Sequence, residues 1–242
     1  MFSNLFEKLL DIIFPKKLLV QELERMDASE FASRATRGAS NFGGANDSAK
    51  GGLERTGRNA SANSGLGRAG KEILSCFDYR DRLVRQAVFE LKYRGNKKVA
   101  RLLATTLYDE LLAFLEEYAP LTNFTEPLLV PIPLSKTRES ERGFNQCKLL
   151  VDILLEMDGG RNFTLSFALT KCKDTGSQTK MDTRKKRLEN LKGCFVADGK
   201  AVEGRNIILI DDVATTGATL VEARKTLLRA GARKVIAFTV AH

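Results

Sequence analysis

Apolar positions along the chain fall into two rhythms, one near 3.6 residues and one of short continuous runs, and their order predicts the order of elements. Phe2, Leu5, Phe6, Leu9, Leu10 and Ile13 recur at helical spacing, so residues 2–14 read as an amphipathic helix that Pro15 stops. From Ile73 onward the pattern is continuous. Ile73–Phe77 reads as a strand; Leu83, Val84, Ala87, Val88 and Leu91 mark one helical face, and Val99, Leu103, Leu107 and Leu111 another. Leu128–Ile132 is a short apolar strand, and Leu149, Leu150, Ile153, Leu154 and Met157 line a third helix. Phe163–Leu169 and Gly193–Val196 read as strands on either side of the polar, charged excursion Lys171–Asn190. Asn206–Ile210 is the central strand, the next helix turns Leu220, Ala223, Leu227 and Leu228 inward, and Lys234–Val240 closes the sheet. Strands alternating with helices predict an α/β fold on a mostly parallel, twisted sheet flanked by helices.

One stretch has no such rhythm. Thr36–Gly70 is dominated by Gly, Ala, Ser, Asn and Arg, with almost no large apolar side chain. It buries too little surface to offset the entropy of ordering and is expected to be a disordered linker. The expected organisation is therefore an amphipathic helical segment over 1–35, a linker over 36–70 and one folded domain over 71–242. The chain of 242 residues carries a net charge of +9, which suits an anionic ligand or a nucleic acid and suits an ordinary basic protein equally well. Cys76, Cys147, Cys172 and Cys194 form no CxxC pair, and His242 is the one histidine. Neither a structural zinc nor a disulfide framework is expected, and scattered thiols suit a reducing, cytoplasmic setting. Met1–Val20 is apolar but carries Glu7, Lys8 and Asp11, too many charges for a signal peptide or a membrane span.

The most informative run is Asn206-Ile-Ile-Leu-Ile-Asp-Asp-Val-Ala-Thr-Thr-Gly-Ala-Thr-Leu220. A buried strand ends in two acids, Asp211 and Asp212, and a small hydroxyl-rich loop then turns into a helix that starts near Thr219. In an open parallel sheet, ligands sit beyond the carboxyl ends of the strands. Ala214, Thr215, Thr216, Gly217, Ala218 and Thr219 would offer N–H groups, hydroxyls and a helix N-terminus to a monophosphate, with Gly217 allowing close approach. The carboxylates suit ribose hydroxyls and a shared hydrated magnesium ion. A phosphorylated sugar fits both halves, provided that the two acids face solvent. The bland alternative is an acidic pair that ends a strand and threonines that cap a helix.

Ile207–Thr219 resembles the fingerprint of type I phosphoribosyltransferases, which bind phosphoribosyl pyrophosphate (PRPP); Ala214 departs from it, standing where that family more often has a larger aliphatic residue. Val130-Pro-Ile-Pro-Leu134, followed by Arg138 and Arg142-Gly-Phe-Asn-Gln146, is similar to the signature of the ComF/GntX family. So are Leu91-Lys-Tyr-Arg-Gly95 and the excursion Thr175–Phe195 with Gln178, Arg187 and Asn190. The resemblance runs from Ile73 to the C-terminus and implies a type I phosphoribosyltransferase-like fold, PRPP as substrate and Mg2+ as cofactor. It implies that Asp211 and Asp212 hold the ribose and that 214–219 anchor the 5′-phosphate. Arg138 and Arg142 would face the pyrophosphate, which suits their forked guanidinium groups, and Lys92 and Tyr93 would lie at the rim. Gln178 and Arg187 would belong to a cationic lid, although the same segment also reads as a nucleic-acid contact or an ordinary exposed surface. Relatives usually begin with a zinc ribbon built on CxxC pairs; this chain keeps only a lead-in, Ile12-Ile-Phe-Pro15, and no cysteine there.

Three functions remain open on these residues. The first is a Mg-dependent phosphoribosyltransferase that acts on an unread acceptor, linked by analogy to DNA uptake or nucleotide metabolism. The second is a non-catalytic module that senses PRPP or a nucleotide, or binds single-stranded DNA. The third is an interaction protein that keeps the fold without the site, against which the intact 211–219 run argues. Related folds often pair, so a homodimer is an expected assembly.

Overall fold

A computed structural model of the chain describes residues 16–37, 73–173 and 191–242. The expected helix over 2–14, residues 38–70 of the expected linker, and Gln178 and Arg187 lie outside the described residues. The order is α1 (Lys16–Arg25), α2 (Ala28–Arg34), β1 (Ile73–Phe77), α3 (Arg82–Phe89), a π-turn (Glu90–Arg94), α4 (Lys97–Thr122), β2 (Leu128–Pro131), α5 (Lys136–Arg142) and α6 (Gln146–Asp158). It continues with β3 (Thr164–Leu165), β4 (Leu169–Lys171), β5 (Phe195–Ala197), α7 (Gly199–Val202), β6 (Asn206–Val213), α8 (Ala218–Arg229) and β7 (Lys234–Ala241).

Five strands form one parallel sheet in the order β1-β7-β6-β2-β3. β6 is central, as its unbroken apolar run predicts, and all eight of its residues are buried. Its side chains alternate between two cores. Ile208 and Ile210 join the helices α1–α4 and α6 on one face, while Ile207 and Leu209 pack with α8 and the β4–β5 ribbon on the other. β7 does not close the sheet at an edge but lies between β1 and β6, because its apolar residues from Val235 to Ala241 need cover on both faces.

Three sequence expectations shift. The stretch 163–169 is two strands, not one: β3 stays in the main sheet, while the Ser166 hydroxyl accepts the Ala168 N–H and turns the chain into β4, which pairs antiparallel with β5. β5 begins at Phe195, not Gly193, since Gly193 has φ +62° and the Cys194 N–H is bonded back to Leu191. Lys136–Arg142, read as a loop, is a helix: Ser135 caps its start and Gly143, at φ +78°, ends it.

The N-terminal helices are part of the same core. Leu23, Met26 and Phe31 are buried, and Phe31 meets Phe77 edge-on at 5.1 Å. Thr36 N–H and hydroxyl donate to Asp81, and Arg37 pairs with Glu110 over the Phe77 ring, so the ordered body reaches two residues into the stretch expected to be linker.

Candidate active site at the carboxyl end of the central strand

The acids sit inside the strand, not beyond it. β6 stays in register with β7 as far as Val213, opposite Ala241, and neighbouring side chains on a strand point to opposite faces. Asp211 therefore turns to the face of Ile207 and Leu209, which the Cys147 side chain at the start of α6 also joins, and its carboxylate accepts the Cys147 thiol at 3.4 Å and the Asp212 N–H at 2.9 Å. Asp212 turns toward the π-turn, where Lys92 Nζ lies 3.2 Å from its Oδ1. The two residues are only 8% and 3% exposed. This overturns the expectation of a solvent-facing acidic pair: three more residues of strand than the apolar run predicts place one acid on each face and bury both.

Burial, reinforced by the charge of Asp212, pushes the Asp211 carboxyl up to about 7 against the pull of Lys92. Burial also works to lower the Lys92 ammonium, but the charges of Asp212 and Asp211 outweigh it and raise the group overall. Cys147 is raised well above an ordinary thiol by burial and by the same two acids, so it acts as an S–H donor. Asp212 Oδ2 is a buried side-chain oxygen with no hydrogen-bond partner among the described residues. An orphaned acceptor of this kind costs about 1–3 kcal/mol, and a bound ligand group is one explanation for its persistence.

The crossover behind the acids is a cradle of 215–219, not 214–219. The Ala214 N–H is spent on the Ala241 carbonyl at 2.9 Å and its side chain is buried, so Ala214 extends the ladder and contacts no ligand by that N–H. Thr215 is exposed and Thr216 and Thr219 are half-buried. Gly217 takes φ +68° to turn the chain, and neither a capping side chain at Gly217 nor an acid in the first turn offsets the positive dipole end of α8. Ala218 N–H reaches only the Thr216 hydroxyl, at 3.4 Å.

The basic residues gather around the start of α6. Arg142 donates to Gln146 Oε1 at 2.9 Å and lies 5.2 Å over the ring of Tyr93. Tyr93 is half exposed and adjoins Lys92, so Arg142 and Asp212 are linked through one turn of chain. That turn is a π-turn closed by Gly95 at φ +54°, whose α-carbon face abuts the Phe144 ring. Arg138 is half-buried on α5, with its N–H held by Ser135. Cys147, which no motif marks, and the buried Gln146, which closes the Arg142–Gln146 signature without a role assigned to it, are the two further residues the structure brings to the site.

Among the described residues no group of three or more His, Cys, Asp or Glu side chains converges on a metal position. A magnesium ion bound together with a phosphorylated ligand needs only one or two protein carboxylates, and the unpaired Asp212 oxygen fits that requirement. No described helix is long and apolar enough to cross a membrane.

A family model described as a phosphoribosyl transferase domain matches residues 147–242, the stretch that holds both acids and the 215–219 crossover. The competence protein ComFC of Bacillus subtilis (strain 168) is 36% identical over 173 residues, covering 69% of this chain and 62% of that protein. The DNA utilization protein YhgH of Salmonella typhi is 32% identical over 166 residues, covering 68% of this chain and 69% of that protein. Among solved structures, the glutamine phosphoribosylpyrophosphate amidotransferase of B. subtilis matches at 16% identity and TM-score 0.38, over 63% of this chain and 30% of that one. The chain belongs to the ComF family of phosphoribosyltransferase-domain proteins, and it spans somewhat under two thirds of the B. subtilis ComFC length.

Proposed function

We propose that this protein binds Mg-PRPP and transfers its phosphoribosyl group to an acceptor, in a process tied to DNA uptake. The observation that carries the reading is the unpaired, buried Asp212 oxygen at the end of the central strand, a few residues before an uncapped helix. Both acids are buried in the ligand-free chain, so the sugar reading requires the Lys92 side chain to withdraw on binding; Asp212 then accepts the ribose hydroxyls, and the N–H groups and hydroxyls of 215–219 hold the 5′-phosphate. Arg142, steadied by Gln146 and Tyr93, and Arg138 face the pyrophosphate. Asp211 serves through the backbone: its carboxylate fixes the Asp212 N–H and so the strand that aims Asp212. A magnesium ion bound with PRPP would supply positive charge for the leaving pyrophosphate. Catalysis of this kind rests on positioning and charge stabilisation and needs no histidine.

Titration calorimetry with Mg-PRPP tests the binding step. Asp212→Asn should weaken affinity at least about tenfold, the worth of one charge-assisted hydrogen bond, with the circular dichroism spectrum retained. Unchanged affinity sinks the assignment. Turnover is tested by pyrophosphate release with a panel of nucleobases. Tight PRPP binding without release across the panel favours the alternative of a sensing module. The relatives named for competence and DNA utilization, together with the net charge of +9, support a single-stranded DNA contact, whose retention should fall steeply with salt.

A further inference from the structure

We infer that Lys92 is a built-in counter-cation that holds the sugar-and-metal position closed, so that a divalent cation alone binds poorly and the phosphorylated sugar must arrive to displace it. The inference rests on the reading above and assigns Lys92 a gating role within the same site, in place of a rim contact. Its ammonium lies 3.2 Å from Asp212 Oδ1 and its side chain is 20% exposed. It is an incomplete partner, because Oδ2 of the same carboxylate stays buried and unpaired. A ligand that brings both a hydroxyl donor and positive charge satisfies both oxygens where Lys92 satisfies one.

The turn that carries Lys92 is anchored on both sides. Glu90 is buried, accepts from Gln86 and pairs with Arg94. Gly95 packs on Phe144, and Tyr93 lies tilted against Phe89 and under Arg142. The moving part is therefore the four-carbon stem of the lysine, which is the flexible element of that residue type. A divalent ion approaching Asp212 meets a like charge a few ångströms away, and in a partly buried site that repulsion is weakly screened.

The probe is Mn2+ alone, titrated into the full chain without PRPP and read by its electron paramagnetic resonance signal. Lys92→Gln keeps a hydrogen-bond donor beside Asp212 and should bind Mn2+ about tenfold tighter than the wild type, the change expected on removing a near, weakly screened like charge. Lys92→Met should gain as well, while Lys92→Arg, which keeps the charge, should not. Adding Asp212→Asn to Lys92→Gln should abolish the gain. The inference is overturned if neither neutral variant binds Mn2+ more tightly, or if the gain survives in the double variant. If Asp212→Asn weakens PRPP binding and Lys92→Gln still gains nothing, only the gating role fails; if Asp212→Asn leaves PRPP binding unchanged, the site reading itself fails.

Discussion

Asp211→Asn should make the ligand-free protein more stable at alkaline pH and leave it nearly unchanged in acid. The folded state raises this carboxyl from 3.8 to about 7, chiefly by burial and then by the neighbouring Asp212 charge. A folded-state value above the unfolded one means that the native chain holds the proton more tightly. The stabilisation is fully present below about pH 4, and it is lost as pH rises through about 7. At about 1.4 kcal/mol per pH unit, a rise of this size sets an upper bound near 4 kcal/mol. Relaxation around the pair brings the expected loss to about 2 kcal/mol. Asparagine carries no charge at any pH, and its oxygen can still accept the Asp212 N–H and the Cys147 thiol. Urea melts in EDTA at pH 4.5 and 8.5 give the difference between wild type and variant, which cancels the titrating groups that do not interact with residue 211. The variant should gain about 2 kcal/mol at the higher pH relative to the lower, or several degrees in Tm for a chain of this size. A difference that does not depend on pH, or a variant less stable at pH 8.5, would refute the account of how Asp211 is held.

Gly95→Ala should cost about 1–2 kcal/mol, since an alanine at φ +54° is strained and its Cβ would stand 3.2 Å from the Phe144 ring; a denaturation midpoint equal to wild type would show that the π-turn is free to shift. Ile208→Ala removes a wholly buried side chain between the central strand and the α1–α4 layer, and about 2–5 kcal/mol should be lost in the same assay. Arg142→Lys should keep the fold but weaken Mg-PRPP binding severalfold in calorimetry, because an ammonium lacks the planar fork that lets one guanidinium donate to Gln146 while presenting two parallel N–H groups to a phosphate.

Much of the fold was legible because buried parallel strands read as short, mostly apolar runs, such as Leu128–Val130 in β2, Ile207–Ile210 in β6 and Val235–Phe238 in β7. The helices showed themselves where a single face is apolar, as in α4 and α6. Failures came where periodicity has nothing to report. Helix α5 is polar all round, and only its caps, Ser135 and Gly143, mark it. The break between β3 and β4 depends on one hydroxyl, that of Ser166, inside an alternating run that by itself argues for a continuous strand. The place of β7 between β1 and β6 is a question of chain order, which local pattern does not contain.

The site is legible in the sequence as a motif but not as a geometry, and the length of β6 accounts for most of the difference. Ending β6 at Ile210 makes Asp211 and Asp212 loop residues free to converge on one ligand. Carrying it to Val213 imposes the strand's twofold alternation on them, so that Asp211 goes to Cys147 and Asp212 to Lys92. The extension is held by Ala214 N–H on Ala241 and by Val213 opposite Ala241, and both bonds depend on a strand distant in sequence. The two acids thereby acquire different work: Asp212 keeps an unpaired oxygen for a ligand, while Asp211, its carboxyl raised by burial, secures the strand that presents it. A double substitution of Asp211 and Asp212 by asparagine should accordingly cost no more PRPP affinity than Asp212→Asn alone, whereas two acids sharing one ligand would each subtract their own part.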